Sequence, residues 1–194
     1  MRIDESVIPP AEILCRYLNQ LTEFRRTAMP QPEGFHFLCI EHFVLEEGTN
    51  ADPRQPLTED ERQTVRRASA GRTHKMKECF YNAQLLALDD PTRQIQYVEG
   101  YACGAAGLPV HHGWAEINGK VVDLTWTPDN PVLGAVPEGW AYRGVSFDTG
   151  VVRRRIVASG EARAFIGDWT RDFPLLRGFG KHSSLVDDSN MRGA

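Results

Sequence analysis

Apolar residues recur at intervals of three and four between residues 10 and 26, a pattern that predicts an amphipathic helix. Pro10 suits the first turn of this helix, where the missing N–H has no helical partner to lose. Further along, Thr58 and Glu61 have the spacing of a capping box, which predicts a polar helix over residues 58–69. We expect the first helix to pack its apolar face on the core and the second to present its charges to solvent.

Three further segments complete the first half of the chain. Apolar and aromatic residues alternate at the start of segment 35–45, which favours a strand without excluding a short helix. Residues 46–56 are rich in Gly, Pro, Asn and Asp and predict a surface loop. An apolar helix is predicted from about residue 77 to residue 88, with Cys79 in its first turn and Pro91 beyond its end.

Beyond this helix the pattern changes to that of strands, at residues 95–102, 110–117 and 120–126. Asn118 and Gly119 separate the last two. Asn-Gly between apolar alternating segments is the strongest short-range signal for a two-residue turn, so these two strands are predicted to form an antiparallel hairpin.

The last third of the chain has weaker patterns. A loop rich in Pro and Gly is predicted at residues 126–139, followed by strands at 142–147 and 151–157. A short helix is predicted at 159–169, where a serine provides the cap. Residues 181–194 predict a loosely ordered C-terminal tail.

The composition is that of a globular protein, with 41% hydrophobic and 25% charged residues among 194. We therefore predict one α+β domain over residues 1–180, in which N-terminal helices pack on an antiparallel β-sheet. The net charge of −4 and the shortness of the basic runs argue against nucleic acid as a partner. No apolar stretch approaches the roughly 20 residues of a membrane span, and no signal-peptide core is evident. A cytoplasmic protein without a membrane partner is expected.

The four cysteines lie far apart, at positions 15, 39, 79 and 103, so no disulfide framework is expected. Together with His111 and His112 they lack any recognised ligand spacing, and neither a metal nor a cofactor is predicted. Cys79 is distinctive because it opens an apolar helix, where unpaired N–H groups favour a thiolate. Cys103 is the rival nucleophile, but it lies at a strand end without a helix terminus.

The predicted hairpin supplies a histidine that could act as the base and deprotonate this thiol. If its turn has two residues, Trp114 lies opposite Asp123, and His112 projects from the same face as Asp123 as a diagonal neighbour. Backbones at such positions are about 7–8 Å apart, within reach of the two side chains. A one-residue bulge would put His111 in the place of His112, so the pattern favours His112 without excluding His111.

These residues belong to four segments that resemble the transglutaminase-like branch of the papain-like cysteine enzymes. The segments are the helix opened by Cys79, Tyr97-Val98-Glu99-Gly100-Tyr101, His112-Gly113-Trp114-x-Glu116, and Val122-Asp123-Leu124-Thr125. They lie within residues 75–126, about a quarter of the chain.

Gly113 stands where Ala is usual and Leu124 where Pro is usual. The Trp that usually precedes the aspartate closely is absent, and the segment from helix to histidine is short, so the chain resembles a compact and divergent member. Similar Cys-x-x-Asn-Ala, Tyr-Val-Glu-Gly-Tyr and Asp-x-Thr-Trp patterns occur in small uncharacterised bacterial and phage proteins.

The resemblance implies a catalytic triad of Cys79, His112 and Asp123 that forms a thioester with a peptide, protein or small amide substrate. The acyl group would pass to water or to an amine. The backbone N–H of Cys79 is the expected oxyanion donor, and His74 is the nearest candidate for a second one.

Three aromatic residues near these positions, Tyr101, Trp114 and Trp126, could line a substrate cleft or serve as ordinary sheet packing. The alternative function is a catalytically silent binding or assembly module of the same fold, which would hold a peptide in this aromatic cleft.

Overall fold

A computed structural model of the protein describes residues 8–51, 53, 55–75, 77–126 and 139–178. In this part of the chain the fold is mixed α/β, with helices packed on a five-stranded antiparallel sheet. The helices are α1 (Pro10–Ala28), α2 (Ile40–Glu47), α3 (Glu59–Ser69), α4 (Cys79–Asp89) and α5 (Thr149–Ser159), with a 3-10 helix at Trp169–Arg171. The strands are β1 (Thr49–Ala51), β2 (Ile95–Cys103), β3 (Pro109–Ile117), β4 (Lys120–Val122) and β5 (Ala141–Phe147).

The sheet has the strand order β1-β5-β2-β3-β4, and every neighbouring pair is antiparallel. The β3–β4 hairpin has the predicted register, since Ile117 pairs with Lys120 across a two-residue turn. Asn118 and Gly119 both have positive φ, as the twist of such a turn requires. β2 and β3 pair residue by residue from end to end without a bulge.

Apolar side chains pack on both faces of the sheet. The larger cluster joins one face to the helices and includes Leu18 of α1, Leu86 of α4 and Tyr97 of β2. The smaller cluster lies on the opposite face and consists of Val98, Ala102, Trp114, Val121 and Tyr142. Because side chains alternate along a strand, odd-numbered residues of β2 and β3 face the helices and even-numbered residues face the smaller cluster.

The predicted helices at the start of the chain and before the sheet are confirmed as α1, α3 and α4. Pro10 lies in the first turn of α1. The capping box of α3 is also present: the Thr58 hydroxyl accepts from the Glu61 N–H at 3.3 Å, and the Glu61 carboxylate accepts from the Thr58 N–H at 2.7 Å.

The strand favoured at 35–45 is wrong, and the short helix that the pattern left open is present from residue 40 onward as α2. The alternating apolar residues precede this helix, where Phe37 is buried in the core. The N–H groups of His36 and Phe37 both donate to the carbonyl of Leu176, at 2.8 and 2.9 Å. This segment therefore packs on the end of the described chain and not on the sheet.

The strand predicted at 151–157 is wrong as well, because these residues lie in α5. Their Val and Ile residues favour strands, but caps at both ends favour a helix. The Asp148 carboxylate accepts from the Gly150 N–H at 2.6 Å, and Gly160 ends the helix with a left-handed φ of 73°.

The helix predicted at 159–169 is replaced by irregular backbone, and Ser159 is instead the last residue of α5. The N–H groups of Phe165 and Ile166 donate to the carboxylate of Glu99, at 2.5 and 2.8 Å. A buried acid on β2 thus takes the place of helical carbonyls as the partner of this backbone.

Two other predicted boundaries shift. The predicted loop at 46–56 includes the end of α2 and the short strand β1, and the strand predicted at 120–126 ends at Val122. Most of the predicted loop at 126–139 and all of the predicted tail at 181–194 lie outside the described residues.

The helices of the described ranges are all too short or too polar to cross a lipid bilayer.

Candidate active site

Cys79 is the first residue of α4, at the end of the helix where backbone N–H groups lack helical partners. The preceding residue, Glu78, makes no side-chain cap that would occupy these groups. Cys79 is half-buried and carries a free thiol. A thiol and backbone donors capable of binding an anion therefore lie at the same point of the fold.

His112 and Asp123 form a buried pair beside this thiol. Nε2 of His112 lies 2.7 Å from Oδ2 of Asp123, and the two side chains are 3% and 1% exposed. The Cys79 thiol interacts with the same imidazole. Since Nε2 faces Asp123, Nδ1 is the ring nitrogen that remains for the thiol. The structure thus brings the three predicted residues together in the order thiol, imidazole, carboxylate.

The surroundings of His112 favour its protonated form. Burial alone would lower the pKa of the imidazole, but its hydrogen bonds and charge interactions with Asp123 and Cys79 outweigh burial and raise the pKa to about 9. Burial would likewise raise the pKa of Asp123, yet the interaction with His112 and two backbone hydrogen bonds hold it below its usual value. At neutral pH the pair is an imidazolium bound to a carboxylate.

The Asp123 carboxylate is anchored through both of its oxygens. Oδ1 accepts from the backbone N–H groups of Thr125 and Trp126, at 3.0 and 3.1 Å. Oδ2 accepts from the hydroxyl of Tyr142 at 3.0 Å, in addition to its contact with His112. Burial and the charge of Asp123 raise the pKa of Tyr142, so the hydroxyl stays protonated and acts as a donor.

No pattern in the sequence indicates the part played by Tyr142. Tyr142 lies on β5, 19 positions after Asp123. Its hydroxyl reaches the Asp123 carboxylate because β5 pairs with β2, and β2 in turn pairs with β3. No local pattern encodes that strand order.

The close approach of α4 to β3 depends on the absence of a side chain at Gly113. A Cβ at this position would lie 3.1 Å from Cα and 3.3 Å from the backbone nitrogen of Phe80, the second residue of α4. Both distances are tighter than ordinary van der Waals contact. Gly113 thus lets the start of α4 lie against the strand that carries His112.

The three aromatic residues predicted to bind substrate do not line one cleft. Trp126 is half-buried and stacks on the His112 ring, with centroids 4.3 Å apart and planes 17° apart. Trp114 is 1% exposed in the smaller cluster, and Tyr101 is 4% exposed on the opposite face of the sheet. Trp140, which the sequence did not single out, packs edge-on against Trp126 at 4.3 Å. A substrate contact stays a prediction for all three residues, of which Trp114 and Tyr101 are buried on opposite faces of the sheet.

A second pair of histidine and acid lies on the helix-facing side of the sheet. Nε2 of His111 lies 3.1 Å from Oε1 of Glu99, which is fully buried. The other carboxylate oxygen of Glu99 accepts from the Tyr97 hydroxyl at 2.7 Å. Because β3 has no bulge, His111 and His112 point to opposite faces, and only His112 is paired with Asp123.

The other candidates of the sequence lie apart from this arrangement. Cys103 is fully buried at the end of β2, and burial raises the pKa of its thiol, which opposes a nucleophilic role. His74 lines a cavity of about 160 Å³ along the face of α4 that carries Tyr81 and Leu85. Burial, with a smaller contribution from Arg72, lowers the pKa of His74. Its part as a second oxyanion donor stays a prediction.

Comparison of the chain with known protein families, with curated proteins and with solved structures finds no match. Within the described ranges, no group of three His, Cys, Asp or Glu side chains is arranged to hold a metal ion.

Proposed function

We propose that this protein is a cysteine-nucleophile enzyme that acts on an amide or related acyl bond, and that it is a compact relative of the transglutaminase-like branch of papain-like enzymes. Cys79 is the nucleophile, His112 the general base and acid, and Asp123 the group that orients the imidazole. The observation that supports this most directly is the His112 ring, 3% exposed between the Cys79 thiol and the Asp123 carboxylate. A ring fixed in this way is what activation of a thiol requires.

The first half of the reaction forms a thioester. Transfer of the Cys79 proton to Nδ1 of His112 leaves a sulfur that attacks the carbonyl carbon of the substrate. Backbone N–H groups at the start of α4 stabilise the oxyanion of the tetrahedral intermediate. When this intermediate collapses, the bond to the leaving amine breaks and His112 returns its proton to that amine.

The second half releases the acyl group. Water or an acceptor amine, depending on whether the enzyme hydrolyses or transfers, gives a proton to His112 as it attacks the thioester carbonyl. Sulfur is then expelled and the resting pair of Cys79 and His112 is restored. Peptides, proteins and small amides all contain the required bond, and Trp126, which stacks on His112, provides an aromatic surface beside the site.

Alkylation with limiting iodoacetamide over a pH series, mapped by mass spectrometry, tests this proposal. Cys79 should react faster than the exposed Cys15 below pH about 8, where an ordinary thiol with a pKa of about 8.5 is mostly protonated. His112→Ala should abolish this advantage, and Asp123→Asn should reduce it. Cys15 serves as the reference in the same sample.

The alternative of a catalytically silent module predicts another result. Cys79 would then react no faster than Cys15 at any pH, and His112→Ala would change nothing. That outcome would overturn the enzyme proposal and direct attention to bound peptides.

A further inference from the structure

Asn82 lies one helical turn after Cys79 and connects three parts of the site. Its side chain is 4% exposed. Oδ1 accepts from the backbone N–H of Lys75 at 3.0 Å, while Nδ2 donates to the carbonyl of Lys75 at 2.8 Å and to Oγ1 of Thr125 at 3.0 Å. A flipped amide would set donor against donor and acceptor against acceptor, so these contacts fix its orientation.

The contact with Thr125 leads to the carboxylate of the site. The Thr125 N–H donates to Oδ1 of Asp123, and Oδ2 of the same carboxylate contacts His112. Asn82 therefore joins the helix that begins at Cys79 to the turn that holds Asp123.

The contacts with Lys75 act on the segment that enters α4. Between Lys75 and Cys79 the backbone passes through Lys77 with a left-handed φ of 64°, a conformation that costs a non-glycine residue about 1 kcal/mol or more. Asn82 binds both backbone groups of Lys75 and so holds this strained entry in place. The position of the first turn of α4 depends on it.

We propose that Asn82 is a positioning residue, which sets the separation between the Cys79 thiol and the His112 imidazole by holding the start of α4 against the Asp123 turn. This inference rests on the proposed function. A shift of the helix start would lengthen the contact between sulfur and nitrogen while leaving all three reacting side chains in the protein.

The matched variants Thr125→Val and Thr125→Ser test the proposal with little disturbance of the fold. Valine keeps the size of threonine but removes the oxygen that accepts from Asn82, whereas serine keeps that oxygen. Asn82→Asp provides a second variant, because it retains an acceptor for Lys75 and loses both donated hydrogen bonds. Thermal unfolding of each variant identifies any that fail to fold.

The readout is the rate of Cys79 alkylation as a function of pH, with the exposed Cys15 as internal reference. In Thr125→Val and Asn82→Asp, we expect the pH midpoint for Cys79 to move and the rate at pH 6.5 to fall roughly tenfold, since misplacement by about 1 Å can cost up to about 100-fold. Thr125→Ser should stay close to the unaltered protein. A purely structural role would lower the unfolding temperature without moving the midpoint for Cys79.

Two other outcomes are distinguishable. If Thr125→Val and Asn82→Asp keep the unaltered profile while His112→Ala loses it, Asn82 does not position the site, and the proposed function stands. If Cys79 in the unaltered protein reacts no faster than Cys15 at any pH, the proposed function fails and this inference fails with it.

Discussion

His111 and His112 are neighbours on β3, yet their imidazoles bind carboxylates on opposite faces of the sheet. Nε2 of His112 lies 2.7 Å from Asp123, and Nε2 of His111 lies 3.1 Å from Glu99. The first pair adjoins the Cys79 thiol through the His112 ring. The second pair holds the backbone that follows α5. The two pairs should therefore respond separately to mutation.

Asp123→Asn should lower the pKa of His112. In the unaltered protein this pKa is raised from 6.5 to about 9 despite burial, so the His112 pair contributes stability that is fully present below pH 6.5 and is lost as the pH rises through 9. With a neutral partner, only Cys79 still opposes the effect of burial, so the loss in the variant should be smaller. NMR titration of the His112 ring and unfolding between pH 6 and pH 9.5 would measure both effects. An unchanged His112 titration would show that Asp123 does not hold the ring charged.

Glu99→Gln should destabilise the fold while leaving the pH profile of Cys79 alkylation intact. The buried carboxylate accepts from two backbone N–H groups, the Tyr97 hydroxyl and His111, and an amide cannot accept all four. A loss of about 3 kcal/mol in unfolding free energy is expected. Hydrogen exchange of the Phe165 and Ile166 amides should accelerate more than elsewhere. A changed Cys79 profile would contradict the independence of the two pairs.

Gly113→Ala should displace the start of α4, because the added Cβ would lie 3.1 Å from Cα of Phe80. We expect a loss of about 1–3 kcal/mol in unfolding free energy together with slower Cys79 alkylation at neutral pH. Gly167→Ala is the matched control, since its Cβ would make only ordinary contacts, the nearest at 3.4 Å. Equal behaviour of the two variants would show that Gly113 is not a spacing requirement.

Glu61→Gln should weaken the attachment of α3 to the hairpin turn. Glu61 accepts from Lys120 at 2.8 Å and from Asn118 at 2.9 Å. It also accepts from the Thr58 N–H of the capping box. Burial would raise the pKa of Glu61, but these partners lower it to about 2. Its stabilisation is therefore present above pH 4.5 and is lost as the pH falls toward 2.

Unfolding experiments at pH 7 and over that acidic range would measure the effect of this change. The variant should be less stable by about 2 kcal/mol at pH 7 and should show a smaller decline between pH 4.5 and pH 2. A decline equal to that of the unaltered protein would show that another carboxylate is responsible.

The parts of the site that follow from the sequence are those encoded by local geometry. The Asn118-Gly119 turn fixes the register of the hairpin, and the register fixes which histidine shares a face with Asp123. Cys79 was placed at a helix start because an apolar helical pattern begins there. None of these inferences needed a contact between distant segments.

The missed features depend on packing between segments far apart in the chain. Glu99 contacts backbone 66 and 67 residues later, and this contact replaces the helix predicted after Ser159. The sequence predicts that Tyr101 and Trp114 line one cleft, but the pairing of β2 with β3 places them on opposite faces of the sheet. The Val and Ile residues of α5 favour a strand, and the strand prediction at 151–157 is wrong because the helix caps outweigh this propensity.

The carboxylate of Asp123 both contacts His112 and folds its own turn, by accepting from Thr125 and Trp126. Replacing it therefore changes the shape of the chain as well as its charge. Cys79 follows Glu78, the N-cap residue of α4, so replacing the Cys79 side chain removes no cap of that helix. If a related protein lost the proposed activity but kept this fold, we expect Cys79 to be replaced before Asp123. Asp123 would be retained because its turn still needs the carboxylate.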